Sequence, residues 1–439
     1  MIRFLLISVL LISNVAQSQQ KVDPDFIRGK MQWFADAKLG IFIHWGLFSV
    51  RGVDDSWTFY SKKMPYSEYM AQMKGFTASA WDPEKWADLI KESGARYAVL
   101  TSKHHEGMAL WGTRMKHFNT VENTPAKRDL LTPFYAAIRK RGIKAGVYFS
   151  MIDWSHPDYP GFLNDSSRYR SADDPVRWLK FRTFYQGQIA ELSKLVDPDL
   201  WWFDGDWEHS AEEWEVEKVR RDILISNPAA IINGRLLGYG DYDTPEQNFP
   251  VSRPIYNWWE LCMSMNNSWG YHPSDTLYKT PYEVITIFAD VVSNGGNLLL
   301  DIGPREDGSI PWQQVNILEE LGGWNKRNGE AVFGTLGGIP PGHFYGPTTL
   351  SKDSSTLYLF LSGNPSTVVV KGLKNKVNQI GILGSSFKPS IKVVGKISWS
   401  AVPGLLYIDV PAAAQDKYMT VLKLELDGPV SLYRGKGGL

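Results

Sequence analysis

The sequence predicts a (β/α)8-like barrel followed by an antiparallel β-sandwich. From Pro24 to Gly334 short apolar runs alternate with amphipathic helical stretches, the pattern of an α/β fold with a parallel sheet. At least six such units follow one another, and no Gly-rich phosphate loop follows the first strand, which favours a barrel over a doubly wound sheet. After Gly337-Gly338-Ile339-Pro340-Pro341-Gly342 the hydrophobic period changes to two, as in a sandwich. The expected division is a signal peptide over 1–18, a barrel over 19–335, a linker over 336–347 and a sandwich over 348–439.

The first barrel strand is read over Leu39 to His44, and the next over Tyr97 to Thr101, Lys144 to Phe149 and Leu200 to Asp204. Ala229 to Asn233 and Asn297 to Asp301 follow. Helix ends are legible between them. Asp82-Pro83-Glu84 supplies an N-cap and a first-turn proline, and Gly94 closes that helix. Thr280-Pro281-Tyr282-Glu283 is a capping box before Val284, Ile287, Phe288, Val291 and Val292 at helical spacing. In the C-terminal part, Leu357 to Leu361, Thr367 to Val370, Ile391 to Val394, Leu405 to Val410 and Tyr418 to Leu426 read as short strands.

Composition narrows the function classes. The 439 residues are 43% hydrophobic, enough for one large core and a smaller one. Lys plus Arg and Asp plus Glu both number 47, so no net field draws nucleic acid or an anionic membrane. The 18 tryptophans exceed what a core normally needs, and rings stacking on sugars or a Trp-rich core both account for them. Arg3, the apolar run Phe4 to Ile12 and Ala16-Gln17-Ser18 form an export signal cleaved near Ser18, which suits the periplasm or secretion. With Cys262 as the single cysteine, no intramolecular disulfide is expected.

Chemistry-bearing residues cluster after the strands: His44, His104, His105, Ser150 and Asp204. Asp204 ends the apolar run Leu200-Trp201-Trp202-Phe203, where an aspartate needs a partner, a solvated pocket or a task, although capping the turn at Gly205 is the plainer reading. The three histidines have no HExxH or CxxC companion, so imidazoles donating hydrogen bonds to ligand hydroxyls are preferred to metal ligation, and neither metal nor cofactor is expected. No Gly-x-Ser-x-Gly elbow supports a serine nucleophile. A pair of carboxylates fits better, as glycoside hydrolysis requires. Glu246 and Glu260 are the candidates to accompany Asp204, with Asp206, Asp153 and Asp301 more easily read as caps.

These residues fall in motifs with a known likeness. Trp33-Phe34, Lys38-x-Gly40-Ile41-Phe42-Ile43-His44-Trp45-Gly46, Lys103-His104-His105-Glu106-Gly107, Leu110-Trp111, Lys127-Arg128-Asp129-Leu130, Gly146-Val147-Tyr148, Trp202-Phe203-Asp204-Gly205 and Gly295-Gly296-Asn297-Leu298-Leu299-Leu300-Asp301-Ile302-Gly303-Pro304 resemble the α-L-fucosidases of glycoside hydrolase family 29. The resemblance runs in order over most of Pro24 to Gly334. It implies a retaining exo-glycosidase that releases terminal α-L-fucose from oligosaccharides or glycoconjugates through a covalent intermediate, on a barrel followed by a β-sandwich, without a metal.

By motif, Asp204 resembles the family's nucleophile, and His44, His104, His105, Tyr148, Trp202 and Arg235 match its fucose-contacting positions. Trp269 stands where the family has an aromatic wall, and Trp57 is also retained. Glu246, in Thr244-Pro245-Glu246, is the favoured acid/base and Glu260 the alternative. Asp55-Ser56-Trp57 departs from the common Ser-Glu-Trp, so Ser56 leaves a carboxylate missing and keeps a related sugar such as L-galactose in view. A sugar-binding protein without turnover and a metal-dependent hydrolase are the rival readings.

Overall fold

The computed structural model describes residues 24–248, 254, 258–363 and 365–435; the expected signal over 1–18 lies outside them. Seven parallel strands form the first sheet: β1 (Leu39–Ile43), β2 (Tyr97–Lys103), β3 (Lys144–Ser150), β4 (Leu200–Asp204), β5 (Ile231–Ile232), β6 (Glu260–Ser264) and β7 (Asn297–Ile302). Their spatial order is β5-β4-β3-β2-β1-β7-β6. The eighth position is taken by irregular chain. Isolated parallel bridges Asn233↔Tyr242, Asp243↔Trp259 and Glu246↔Cys262 carry the segment from Tyr242 to Glu246 between the two edge strands, and Asn233 extends β5. So the sheet closes through a stretch too polar and Pro-broken to read as a strand.

Strand alternation decides what faces the barrel axis. Phe42, Tyr97, Val99, Tyr148, Leu200, Trp202, Cys262 and Leu299 form one inner cluster, whereas Ile41, Ile43, Ala98, Leu100, Val147, Trp201 and Phe203 pack outward with the helices. Leu200, Trp202 and Asp204 therefore share the inward face. Helix α1 (Pro24–Ala37) places Met31, Phe34 and Ala37 in the inner cluster, plugging the end where the strands begin. Asn297 Nδ2 donates to the Phe34 carbonyl at 2.8 Å and pins that plug.

The capping motifs appear where the sequence places them. Helix α2 (Pro83–Glu92) begins with the Asp82 carboxylate accepting from Glu84 N and Lys85 N, and Gly94 follows its end at φ +94°. Helix α3 (Pro281–Ser293) carries the full capping box of Thr280 and Glu283. Helix α4 (Trp312–Asn328) then leads to the C-terminal sheets.

Those sheets hold β8 (Leu336–Gly337), β9 (Thr348–Leu350), β10 (Thr356–Leu361), β11 (Thr367–Lys371), β12 (Val377–Ile382), β13 (Ser390–Val394), β14 (Leu405–Asp409) and β15 (Thr420–Leu426). One sheet runs β8-β9-β10-β15-β12 and the other β11-β14-β13. Leu357, Leu359 and Leu361 of the first meet Val370, Leu406 and Ile408 of the second in one core, which makes a sandwich. Leu336–Gly337, the start of the expected linker, pairs with Thr349 and Leu350 as an edge strand. No helix among the described residues is long and apolar enough to cross a membrane.

Candidate active site

The inward-facing residues at the carboxyl ends of the strands converge on one cavity of about 190 Å³. It is smaller than the ~300–1,000 Å³ of pockets for drug-sized ligands and suits a single sugar ring. His44, Trp57, His104, His105, Tyr148, Trp202, Asp204, Arg235, Glu246 and Trp269, all expected from the sequence, line it. Glu260 does not.

Asp204 is the centre of the polar network. Its Oδ1 accepts from Arg235 Nη1 at 3.1 Å and its Oδ2 from the Tyr148 hydroxyl at 2.9 Å. The other arm of the same guanidinium donates to Glu246 Oε2, so one arginine spans two carboxylates. The guanidinium also lies over the Trp202 ring, 4.6 Å from its centroid, and Tyr148 stacks on Trp202 with centroids 5.6 Å apart. Each fixes the next. Gly205 follows Asp204 at φ +79°, a conformation that glycine adopts without strain and that turns the chain sharply out of the strand.

The imidazoles are held from behind by three different partners. His44 Nδ1 lies 2.7 Å from Asp301 Oδ1, His104 Nδ1 lies 2.6 Å from Ser56 Oγ, and His105 Nδ1 lies 2.6 Å from Ser150 Oγ. Burial pushes His44 and His105 well below the usual imidazole range, helped by the charge of His104. His104 goes the other way: burial opposes its charge, but the Asp55 and Glu106 carboxylates raise its pKa. Burial also raises the Asp301 carboxyl well above the usual range. His104, His105 and Asp204 bring ligand-type atoms within 4.8 Å of one another, a set that could hold a metal ion. The Arg235 cation already bound to Asp204 disfavours a second positive charge there.

Glu260 sits elsewhere. It opens β6, at the end of the barrel away from the cavity, and is fully buried. Its carboxyl accepts from the Tyr97 hydroxyl and from Trp202 Nε1, the latter at 3.0 Å. Burial pushes it up to about 7 against those hydrogen bonds. Of the aspartates read as caps, Asp301 backs His44, Asp153 caps Ser155 N and His156 N, and Asp206 accepts from Leu237 N.

Three residues enter the site that the sequence did not single out for it. Asp55 lines the cavity although Ser56, next to it, is turned away to His104. Trp207 stacks near Trp57 at the rim, half exposed, with an interplanar angle of 19°. Asn233 bridges β4 to β5, its amide exchanging hydrogen bonds of 2.9 Å with Phe203 N and Phe203 O beside the Asp204 strand end. The cluster of indoles around residue 207 was a signal for the second of these. No pattern marked the other two: which of Asp55 and Ser56 faces the cavity is settled by the fold, and the partner of Asn233 is distant in the chain.

Two carboxylates facing one small cavity lined with hydroxyl-binding groups meet the needs of glycosidic-bond cleavage, and the class this fold and site define is that of the glycoside hydrolases. Comparison with known proteins is specific. The family model described as alpha-L-fucosidase matches residues 9–330. Rat plasma alpha-L-fucosidase is 34% identical over 332 residues, 69% of this chain and 70% of the relative. Human tissue alpha-L-fucosidase is 30% identical over 438 residues, 90% of this chain and 89% of the relative. Among solved structures, alpha-L-fucosidase isoenzyme 1 from Paenibacillus thiaminolyticus superposes with a TM-score of 0.81 at 29% identity, covering 92% of this chain and 100% of that one. A family 29 alpha-L-fucosidase from Bacteroides thetaiotaomicron, trapped as a covalent intermediate with 2-fluoro-fucosyl fluoride, gives 0.80 at 28% identity, over 91% of this chain and 96% of that one. The chain belongs to the α-L-fucosidase family, glycoside hydrolase family 29.

Proposed function

We propose that this chain removes terminal α-L-fucosyl residues from oligosaccharides or glycoconjugates by double displacement, with Asp204 as nucleophile and Glu246 as acid/base. In the first step an Asp204 oxygen bonds to C1 as the C1–O bond breaks, and Glu246 gives its proton to the departing oxygen. In the second, water attacks C1, returns a proton to Glu246 and frees Asp204. The observation that carries this reading is the single guanidinium of Arg235 contacting both carboxylates. One guanidinium bonded to both keeps the two carboxylates close, as the retaining arrangement asks, where the pair stands about 5–5.5 Å apart rather than the ~6.5–9.5 Å that leaves room for an attacking water. His44, His104, His105 and Arg235 then bind ring hydroxyls, while Trp57, Tyr148, Trp202 and Trp269 form apolar walls, one of which accepts the C5 methyl.

The placement of Glu260 in the barrel floor supports Glu246 over it. The test is release of sugar from an aryl α-L-fucoside and an aryl α-L-galactoside by wild type, Asp204→Gly, Glu246→Ala and Glu260→Ala. Asp204→Gly and Glu246→Ala are expected to lose about 10²–10⁴-fold, with azide restoring turnover in Glu246→Ala by forming a fucosyl azide. Azide rescue of Glu260→Ala instead would transfer the role to Glu260, and release with inversion at C1 would reject the double displacement. Export to the periplasm or medium is part of the same proposal. A mature N-terminus at Gln19, read by protein sequencing after expression of the full chain, is the outcome expected of it.

A further inference from the structure

Resting on the proposed function, this inference concerns the proton on one imidazole. His105 Nδ1 lies 2.6 Å from Ser150 Oγ, and the same oxygen lies 2.8 Å from the Ile152 carbonyl oxygen. A hydroxyl has one proton and a carbonyl only accepts. If Ser150 donated to His105, two oxygens would face each other at 2.8 Å with no proton between them. Ser150 must therefore donate to Ile152 and accept from His105 Nδ1–H. Burial beside His104 and Lys103 disfavours a second ring proton. Nε2 is left as a bare lone pair.

That lone pair is 3.6 Å from Asp204 Oδ2, which already accepts from Tyr148. Two acceptors thus flank a gap that only a donor can fill. We propose that Ser150 is a positioning residue that locks His105 as its Nδ1–H tautomer, so that Nε2 accepts a hydrogen bond from a sugar hydroxyl lying beside the nucleophile. The direction is opposite to that expected from the sequence, where the imidazoles donate. It has two consequences for the chemistry. The site recognises a hydroxyl by its proton, and Asp204 is spared an Nε2–H donor that would bind its oxygen and blunt its attack. A metal ion on the same lone pair is the competing occupant, given the grouping of His104, His105 and Asp204.

The experiment is a two-bond proton–nitrogen correlation spectrum of the intact mature protein labelled with ¹⁵N-histidine, free of ligand at neutral pH, with His105→Gln used for assignment. Wild-type His105 is expected as the Nδ1–H tautomer, Ser150→Ala as a mixture shifted to Nε2–H, and Ser150→Thr as wild type. On an aryl α-L-fucoside, kcat/KM is expected to fall about tenfold or more in Ser150→Ala, as loss of one partner of a buried hydrogen bond implies, and to recover in Ser150→Thr. An Nε2–H or doubly protonated His105 in wild type would overturn the proposal, as would Ser150→Ala activity within twofold of wild type. So would activity lost to EDTA and restored by zinc. The tautomer is read without substrate, so a wild type inactive on fucosides would sink the proposed function, and with it the sugar contact, while an Nδ1–H signal would leave the Ser150 lock standing.

Discussion

At the scale of single residues, the position before Trp57 shows how a departure from a motif is repaired in space. Ser56 stands where the family resemblance leads one to expect a glutamate, and its hydroxyl supports His104 instead of reaching the cavity. One residue earlier, Asp55 lines that cavity, with one oxygen accepting from Trp57 N at 2.9 Å and the carboxyl pushed up by burial. A carboxylate is therefore present at the wall, supplied from the neighbouring position. Asp55→Asn keeps the shape and an acceptor but removes the charge that raises His104. We expect kcat/KM for the aryl α-L-fucoside to fall about tenfold, mainly through KM, because a charge-assisted hydrogen bond contributes roughly 1.5–3 kcal/mol. Ser56→Ala should be milder and should lower the His104 pKa without abolishing binding. A KM for Asp55→Asn within twofold of wild type would show that the carboxylate does not meet the sugar.

Strands and helices were legible in proportion to how cleanly their apolar residues repeat. β1 to β4 and β7 read from the sequence because Ile, Val, Leu and aromatic residues dominate them, and α2 and α3 because their caps are explicit. β6 did not, because Glu260-Leu261-Cys262-Met263-Ser264 opens and closes with polar residues. Its alternation places Glu260, Cys262 and Ser264 inward, where a glutamate reads as chemistry until its depth along the barrel is known. The same limit hid the place of Asp55 at the cavity wall and the task of Ser150, which the sequence marks as a strand-end residue but whose role depends on one hydroxyl proton shared between His105 and Ile152. Glu260 has a consequence for stability. Its folded pKa, pushed up to about 7 by burial, exceeds the 4.5 of an ordinary glutamate, so the folded chain holds a proton that the unfolded chain releases. The stability this supplies is fully present below pH about 4.5 and is lost as pH rises through about 7, a change of roughly 3 kcal/mol. Glu260→Gln removes the titration. Urea unfolding at pH 4.5 and pH 8 should show wild type losing stability relative to Glu260→Gln, and a constant difference would mean that Glu260 is ionised throughout.

In the whole molecule, the sandwich shares its core with the barrel. Along β10, Leu357, Leu359 and Leu361 face the sandwich interior while Tyr358 and Phe360 belong to the cluster around the barrel helices, and β15 adds Val421 to that cluster. One sheet thus serves two cores, as period-two alternation allows when both faces are covered. Trp324 of α4 is the centre of the junction: it is fully buried, its Nε1 donates to the Met419 carbonyl at 2.9 Å, and its ring lies 6.3 Å from Phe360 and 6.5 Å from Phe288. Arg327–Asp416 and Lys417–Glu320 ion pairs surround it, but they are partly exposed and contribute little beside the indole. Barrel and sandwich should therefore unfold together. Calorimetry of wild type is expected to give one endotherm whose van't Hoff and calorimetric enthalpies agree. Trp324→Ala removes the shared ring and leaves the Met419 carbonyl unpaired, at a cost of about 3–5 kcal/mol. Because the lost contacts belong to both halves, the variant should melt earlier and split into two endotherms, the sandwich separating from the barrel. Two endotherms already present in wild type would show instead that the sandwich is an appended module and that the shared cluster does not couple them.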